Sequence, residues 1–345
     1  MTSTGRDPEG KPEEPVTGRQ PHKAGGRGRH GPNWHLAPPL KEAPLRERIE
    51  DALSSIDLPL RRARGAGRAL ASKRRFADGS AWRVEIPSVE GPEAMKAVMA
   101  ESAARAVPVH RVSQGSGTAL LTEAELRQMA ELGRASGCEV VLWAGVRAAW
   151  DISAMARSAS GATAAAALRG ATAVAAGLEE AMRAADAGID GVLMSDVGLL
   201  WALGRAKRAG KLPADFVLKT SLALPTMNPA SARVYVELGA TSLNLATDLP
   251  VADIASIREA VDVPLDCYIE GADDFAAPLR YHEIEEIVEV AAPVHLKFGL
   301  RNVAGAYPSG GHLAATVVSA SRERVRRAAI GIETLRRRAP ELCGP

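Results

Sequence analysis

The feature that most constrains the fold is a regular alternation, from residue 82 onward, of short β-rich runs with helical stretches. Strands that alternate with helices call for a parallel sheet in which the helices form the crossover connections. Eight such runs favour closure into a (β/α)8 barrel, the TIM barrel, over an open sheet. The runs lie at residues 83–86, 107–112, 139–143, 191–194, 216–219, 242–245, 264–269 and 294–298.

Local signals mark the boundaries between these strands and helices. The stretch from Thr122 to Glu125 has the pattern of a capping box and predicts that a helix begins there. Gly137, Gly188 and Gly239 each stand where a helix should end before the next strand. The same type of helix-to-strand connection, with a glycine at the end of the helix, is therefore predicted at three places.

The chain divides into four parts by composition. Residues 1–40 are rich in Gly, Pro, Arg and Glu, so they cannot bury enough apolar surface to offset the entropy of ordering, and we predict that they are disordered. Residues 41–81 form an Arg-rich flank whose aliphatic residues recur at helical spacing, which predicts a short amphipathic helix. The barrel is predicted at residues 82–338, and residues 339–345 form a tail.

Charge and cysteine content narrow the range of functions. The 43 basic and 41 acidic residues leave a formal net charge of +2, which gives no global attraction to nucleic acid or to a membrane. Aromatic residues make up 4% of the chain, too few for platforms that stack single-stranded nucleic acid. The three cysteines show no CxxC spacing, no apolar run reaches the ~18 residues of a membrane helix, and the N-terminus lacks a hydrophobic signal core. These features predict a cytoplasmic protein and disfavour membrane and nucleic acid as partners.

The candidate catalytic residues follow the strands, because barrel enzymes place their chemistry at the carboxyl ends of the strands. Lys219 and Lys297 each come after apolar residues near a strand end, where desolvation would lower a lysine pKa and make it a base or a Schiff-base nucleophile. Asp196 and Glu270 end two further strands and complete the predicted acid–base set. The alternative is that the lysines pair with these carboxylates to hold the mouth of the barrel together.

The candidate substrate-binding residues come from the same strand ends and loops. Arg147 and Arg301 are positioned to clamp a carboxylate or phosphate group of a substrate. The full predicted set is Arg147, Arg301, Ser113, Gln114, Asn244 and His312. For His312, which lies in the loop after the last strand, a structural or solvated role is the alternative.

Metal binding is the less favoured interpretation of the acidic residues at the strand ends. Asp196, Glu270, Asp273 and Asp274 could offer oxygen ligands to a divalent cation. Carboxylates at strand ends more often serve as plain hydrogen-bond acceptors. We therefore assign no metal ligand and expect no cofactor.

Several stretches of this barrel region resemble one protein family. They read VHRVSQGSGTALLTEAEL, GVLMSDVGLLWALG, NPASARVYVELGATSLNLATDLP and VHLKFGLRNVAGAYPSGGHL, and residues 264–271 read PLDCYIEG. Over residues 82–338 the chain resembles the U32-like proteins of actinobacteria, and PLDCYIEG stands where peptidase family U32 carries its signature strand. The proteins of this family are named collagenase-like peptidases, so the resemblance implies a peptidase by name. It also implies kinship with relatives that take part in RNA or quinone hydroxylation and carry an iron–sulfur cluster on four cysteines.

The sequence departs from the family pattern where that cluster would be bound. The usual signature continues past the glycine with Ser or Ala and a Cys, and then with S-G-x-C, whereas Ala-Asp-Asp-Phe follows Gly271 here. Glu270 stands where many members have His. A [4Fe–4S] cluster needs four thiolates, and the chain has only Cys138, Cys267 and Cys343. We therefore expect no iron–sulfur cluster and disfavour a hydroxylase.

Two hypotheses of different classes follow. The first is a U32-like barrel enzyme, a hydrolase or lyase, that uses lysine and carboxylate acid–base chemistry on a small or peptide-like anionic substrate. The alternative is a non-catalytic or accessory barrel protein that binds a partner or RNA in a biosynthetic or RNA-modification complex through the basic residues at 61–75. A homo-oligomer is compatible with both hypotheses. Substitution of the two lysines would damage function under the first and be silent under the second.

Overall fold

A computed structural model describes residues 45–58, 71–151, 154–158, 161, 165–273, 277–303, 305 and 307–343. The predicted disorder of residues 1–40 and the basic residues at 61–68 lie outside this part of the chain. Helix α1 (Leu45–Ser55) lies in the predicted Arg-rich flank, where the spacing of aliphatic residues predicts a helix.

Eight strands and the helices between them form the rest of the described chain. The strands are β1 to β8, in order Trp82–Pro87, Arg111–Ser113, Glu139–Trp143, Gly191–Met194, Val217–Thr220, Leu243–Asn244, Leu265–Glu270 and Val294–Phe298. The helices are α2 to α10, in order Pro92–Arg105, Glu123–Ser136, Ala154–Arg157, Gly170–Asp186, Val197–Arg208, Pro229–Leu238, Val251–Ala260, Ile284–Ala291 and Ala314–Arg338.

The eight strands form one parallel sheet that is nearly closed. Their order is β5-β4-β3-β2-β1-β8-β7-β6, and every neighbouring pair is parallel. A parallel bridge between Lys219 and Ser242 brings β5 beside β6. The predicted (β/α)8 TIM barrel is thus confirmed.

The predicted helix boundaries follow from the local chemistry. Thr122 and Glu125 form the predicted capping box at the start of α3, since each side chain accepts a hydrogen bond from the other residue's backbone N–H. Gly137 ends α3 with φ of 66°, in the left-handed region that glycine adopts without strain. Strand β2 is shorter than the predicted run 107–112, because Pro108 has no N–H to donate to a sheet.

The two faces of the strands have different surroundings. Outward side chains such as Val84 and Leu142 belong to the main apolar core between the sheet and the helices. Inside the barrel, the described apolar residues form a small separate cluster of Val141, Trp143 and Leu193. Charged side chains fill much of the remaining interior, and each of them needs a partner because burial of an unpaired charge is costly.

None of the helices in the described part of the chain combines the length and the apolar character that crossing a bilayer requires.

Candidate active site

A cavity opens at the carboxyl ends of the strands. Its volume is about 50 Å³, and it opens to solvent. We call it the mouth cavity. Five of the predicted site residues line it: Lys297, Arg147, Ser113, Gln114 and Asn244.

Lys297 brings a positive charge to the floor of the mouth cavity. Its Nζ donates to Oδ1 of Asn244 at 2.9 Å, lies 3.1 Å from Oε1 of Glu85, and sits 4.5 Å above the ring of Tyr268. Burial is the largest single influence and would lower the pKa of Lys297, but Glu85, Tyr268 and Asp266 together raise this pKa above the usual lysine value. Lys297 is therefore an ammonium at neutral pH, suited to binding an anion.

Lys219 lies beneath the cavity. Glu85 contacts both Lys219 and Lys297, and it thereby connects Lys219 to the cavity lining. The Nζ of Lys219 contacts Oε2 of Glu85 and lies 3.4 Å from Oδ2 of Asp266, and the side chain is fully buried. Burial lowers the pKa of Lys219 to about 8, although Asp266 and Glu85 act to raise it. Both lysines are buried, but only Lys219 has the lowered pKa that the sequence predicts for both.

Further charged side chains close the network below Lys219. Nη1 of Arg111 lies 3.1 Å from Oδ1 of Asp266, and His295 places Nδ1 3.0 Å from the same oxygen. Arg111 also pairs with Glu139 through its Nε. Burial would raise the pKa of both Asp266 and Glu85, but the surrounding cations hold both carboxyl pKa values well below their usual range.

The charges of this network balance. Arg111, Lys219 and Lys297 supply three positive charges, and Glu85, Asp266 and Glu139 supply three negative ones. Burial, and secondarily the charge of Arg111, lowers the pKa of His295, so this imidazole is neutral at pH 7. Sequence reasoning missed Glu85, Arg111, Asp266 and His295 as site residues.

Arg147 forms the second cation of the mouth cavity. Its guanidinium carbon lies 3.7 Å from the ring centroid of Trp143 and 4.3 Å from that of Trp150, so the group is stacked on indole faces. Nη2 donates to the carbonyl oxygen of Gly115 at 2.6 Å, and Nη1 is buried with no protein partner among the described residues. Burial lowers the pKa of Arg147 to about 10, which leaves it charged at pH 7. An anionic ligand would supply the acceptor that Nη1 lacks.

Three loops, those after β1, β2 and β8, are joined by hydrogen bonds beside the cavity. The carboxylate of Glu90 accepts hydrogen bonds from the backbone N–H groups of Gly115 and Ser116 at 2.8 and 2.9 Å. The hydroxyl of Ser116 accepts from the backbone N–H of Ser309 at 2.8 Å. The loop after β2 therefore anchors the loop after β8.

Tyr307, in the loop after β8, lines the mouth cavity. Its hydroxyl contacts the hydroxyl of Ser88, whose φ of 59° is unusual for a residue other than glycine. A Cβ on Gly115 would lie 2.5 Å from the Tyr307 ring, so only glycine permits this packing. Sequence reasoning missed Tyr307, but its place in the loop after the last strand was a usable signal.

Asp196 and Glu270 lie away from the mouth cavity. Asp196 is the N-cap of α6: its carboxylate accepts the N–H of Leu199 at 2.8 Å and the N–H of Leu168 at 3.1 Å. Glu270 accepts from the Tyr281 hydroxyl at 2.6 Å, because the register of β7 against β8 shifts between Tyr268 and Glu270. Neither carboxylate is among the residues that line the mouth cavity, and their catalytic roles stay a prediction.

Arg301 and His312 also lie outside the lining of the mouth cavity. Arg301 donates to the carbonyl oxygen of Ala277 at 2.6 Å and pairs with Asp273 at 2.6 Å. His312 is exposed in the short turn before α10. Their predicted role in substrate binding stays untested, and Asp274 lies outside the described residues.

The cysteines do not fit an iron–sulfur cluster. Cys138 precedes β3, Cys267 lies within β7 and packs in the outer core, and Cys343 lies in the C-terminal turn. All three are free, and burial raises the pKa of Cys138 and of Cys267 to about 12. Within the described part of the chain, no three His, Cys, Asp or Glu side chains are grouped as ligands for a metal ion.

One family model matches a part of the chain. Residues 165–277 match the family model of Peptidase family U32. Among solved structures, the U32 peptidase Mk0906 is similar at 16% identity and a TM-score of 0.36, over 56% of this chain and 71% of that chain. The comparison with curated proteins returned no match.

Two other barrel proteins of known structure are similar at the same low level. The YdjI aldolase of Escherichia coli K12 has 16% identity and a TM-score of 0.43, over 74% of this chain and 91% of its own. The truncated 3-deoxy-D-arabino-heptulosonate 7-phosphate synthase of Thermotoga maritima has 16% identity and a TM-score of 0.42, over 75% of this chain and 88% of its own.

Proposed function

We propose that this chain, whose residues 165–277 match the model of peptidase family U32, is a barrel enzyme that acts by acid–base chemistry on a small or peptide-like anionic substrate. The substrate binds in the mouth cavity, and the ammonium of Lys297 is the group that exchanges a proton with it. Glu85 and Lys219 act behind Lys297. The reaction is a hydrolysis or an elimination, both of which need a proton donor at the leaving group.

The observation that carries this proposal is the pair of cations in one cavity. Lys297 and Arg147 both line the mouth cavity, and Nη1 of Arg147 has no acceptor in the described chain. Hydrogen bonds between charged partners contribute about 1.5–3 kcal/mol each, roughly twice those between neutral groups. A substrate with a carboxylate or phosphate group would complete the hydrogen bonding of Arg147.

The contact between Lys297 and Glu85 favours proton donation over Schiff-base formation. A Schiff-base lysine must be neutral to attack a carbonyl group, whereas Glu85 holds Lys297 in its protonated form. The carboxylate also holds the ammonium in place, so little reorganisation precedes the proton transfer. In this proposal Glu85 is the carboxylate of the acid–base set, a role predicted from the sequence for Asp196 and Glu270.

The test is substrate consumption by the purified full chain. The protein is incubated with the small-molecule fraction of a bacterial lysate and with a defined mixture of short acidic peptides, and mass spectrometry records which compounds disappear. We expect loss of at least one anionic compound with the unsubstituted protein. Lys297→Met should abolish that loss, and Arg147→Met should slow it by about tenfold or more, the effect of one lost charged hydrogen bond.

Two matched variants control for the loss of charge alone. Lys96→Met removes an exposed lysine that pairs with Glu93 on α2, and Arg205→Met removes an arginine that lies 5.8 Å from the Trp201 ring on α6. Both should consume the compound at the unsubstituted rate. Equal consumption by Lys297→Met and Lys96→Met, or no consumption by any of the proteins, contradicts the proposal.

A further inference from the structure

Five titratable side chains form a continuous row inside the barrel: Lys297, Glu85, Lys219, Asp266 and His295. We call them the inner row, and each is at most 2% exposed. Lys297 lies 3.1 Å from Oε1 of Glu85, and Lys219 contacts Oε2 of the same carboxylate. Lys219 is 3.4 Å from Oδ2 of Asp266, whose Oδ1 lies 3.0 Å from Nδ1 of His295. Acids and bases therefore alternate along the row without a gap.

The two carboxylates of the row are fully engaged. Ser113 donates to Oε1 of Glu85 at 2.7 Å, and Arg111 lies 3.6 Å from Oε2. Ser242 donates to Oδ2 of Asp266 at 2.8 Å, and Arg111 lies 3.1 Å from Oδ1. Each of the four oxygens thus has two partners, so the row is continuous from Lys297 to His295.

The inner row meets the mouth cavity at one end. Lys297 lines that cavity. At the other end the ring of Phe76 packs edge-on against His295, with ring centroids 5.0 Å apart. Among the described residues, the row is therefore accessible to a substrate through Lys297.

We propose that Lys219 is the proton reserve of this site and that Glu85 carries its proton to Lys297. This inference rests on the proposed function, in which Lys297 gives a proton to the substrate. The Nζ–H bond of Lys297 breaks as the substrate gains the proton. An Nζ–H bond of Lys219 then breaks as an O–H bond forms on Oε2 of Glu85. After the carboxyl group turns about its Cγ–Cδ bond, that O–H bond breaks as the Nζ–H bond of Lys297 forms again.

The proton balance of this sequence is simple. One proton has left the row and resides on the substrate, Lys219 is neutral, and Glu85 and Lys297 have regained their initial charges. No electrons are transferred, and no further reactant is needed. The reserve refills when a proton returns from solvent by the same path in reverse.

The direction of transfer is favourable. The charged groups that face Lys219 come from four strands, namely Glu85, Arg111, Asp266 and Lys297. Burial, helped by the positive charges of Lys297 and Arg111, lowers the pKa of Lys219 to about 8, whereas Glu85 raises that of Lys297 above the usual lysine value. A proton is therefore held less firmly on Lys219 than on Lys297, so its transfer to a deprotonated Lys297 is downhill overall, and the state with the proton on Glu85 is an uphill intermediate because the cations lower the pKa of Glu85.

The test is an NMR titration of the full chain that needs no substrate. The sequence has nine lysines, so the Cε resonances of a protein labelled with ¹³C-lysine can be followed singly from pH 6 to about pH 11, a range that spans the usual lysine pKa. We expect one lysine to titrate near pH 8 and its signal to be missing from Lys219→Met. The signal missing from Lys297→Met should titrate above 10.5, the usual lysine value. Lys207→Met is the matched control, because burial also lowers the pKa of Lys207, on α6.

The variants also test the coupling along the row. Glu85→Gln should make Lys219 a stronger acid by about tenfold or more, because a carboxylate in contact with it is lost. Lys297→Met should make Lys219 a weaker acid, because a like charge is lost. If a variant of the row fails to fold, the unsubstituted protein and Lys207→Met together remain decisive, because Lys207→Met identifies the other lysine with a lowered pKa. Titration of all lysines except Lys207 at or above the usual value, or loss of the Lys297 proton before that of Lys219, overturns the proton reserve. Failure of substrate consumption would overturn the proposed function instead, so the two failures are distinguishable.

Discussion

Glu85 and Lys297 face each other in register on adjacent strands, with Nζ of Lys297 3.1 Å from Oε1 of Glu85. The first and last strands of the barrel are neighbours, so this contact joins two parts of the chain that are far apart in sequence. Because Glu85 also contacts Lys219 on β5, one carboxylate links three strands. The mouth cavity and the buried charges beneath it are therefore one structural unit.

Substitution of Glu85 by Gln should strongly destabilise the fold. The change removes the carboxylate that Lys219 and Lys297 share, and breaking a buried ion pair costs about 3–5 kcal/mol. Urea unfolding of the unsubstituted protein and of Glu85→Gln measures the difference. The control is Glu93→Gln, which removes the partner of Lys96 on the surface and should cost at most about 1 kcal/mol. A Glu85→Gln variant as stable as Glu93→Gln would show that the buried pairs contribute little.

The stability that depends on Lys219 should change with pH in the alkaline range. Burial lowers the pKa of Lys219 to about 8 in the folded state, against 10.5 when the side chain is in water. Between these values the unfolded state binds the proton and the folded state does not, so the free energy of unfolding rises with pH. The gain is about 1.4 kcal/mol for each pH step of one.

The measurement is the free energy of unfolding at pH 8, 9 and 10 for the unsubstituted protein and Lys219→Met. The difference between the two should move in favour of the unsubstituted protein as the pH rises, because only it carries the titrating group. A difference that stays constant over this range contradicts the lowered pKa. The same comparison with Lys96→Met, an exposed lysine, should show no such trend.

Gly115 and Tyr307 should show a coupled effect on stability. A Cβ at position 115 would lie 2.5 Å from the Tyr307 ring, and such overpacking typically costs about 1–3 kcal/mol. Gly115→Ala should therefore destabilise the unsubstituted protein but have little effect in a Tyr307→Ala background, where the ring is absent. A double-mutant cycle by thermal or urea unfolding measures this coupling. Equal costs in the two backgrounds would place the Tyr307 ring elsewhere in solution.

The barrel and part of the mouth cavity could be predicted from sequence because their signals are local. The alternation of strands and helices needs only neighbouring residues. Arg147, Gln114 and Asn244 were predicted because each follows or ends a strand, and a barrel gathers all strand ends at one mouth. Asp196 had an equally local signal that the prediction did not use, since an Asp directly before a helix is a typical N-cap.

The buried charges could not be placed in the same way. Glu85 lies between Val84 and Ile86, a pattern that a strand with one solvated face would also show. Its partners Lys219 and Lys297 come from β5 and β8, and only closure of the barrel brings them within contact. A closed barrel buries both faces of its strands, so a charged residue in the middle of a strand must have a partner. This requirement could have identified Glu85 as part of a buried ion pair. For Glu270, the register shift in β7 decides which way the side chain points. This shift could not be predicted from the residues of the strand.

The stacked guanidinium of Arg147 should not be replaceable by a lysine. It lies 3.7 Å from the Trp143 ring and 4.3 Å from the Trp150 ring, and a planar group fits between such faces where an ammonium does not. Arg147→Lys should therefore change tryptophan fluorescence as much as Arg147→Met does. Arg205→Lys beside Trp201 is the control and should leave the spectrum nearly unchanged, because its contact is looser, at 5.8 Å. Retention of the unsubstituted spectrum by Arg147→Lys would contradict the stacked arrangement.

Anaerobic purification should yield a protein without an iron–sulfur cluster. The chain has three cysteines, whereas a [4Fe–4S] cluster usually needs four converging thiolates. Cys138 and Cys267 are also buried in the apolar core, and burial raises the pKa of each to about 12. Iron and acid-labile sulfide should both be far below one equivalent per chain, and the visible spectrum should lack the broad absorbance near ~400 nm of thiolate-ligated clusters. Near-stoichiometric iron and sulfide would contradict this prediction and favour redox chemistry over the acid–base chemistry proposed for Lys297.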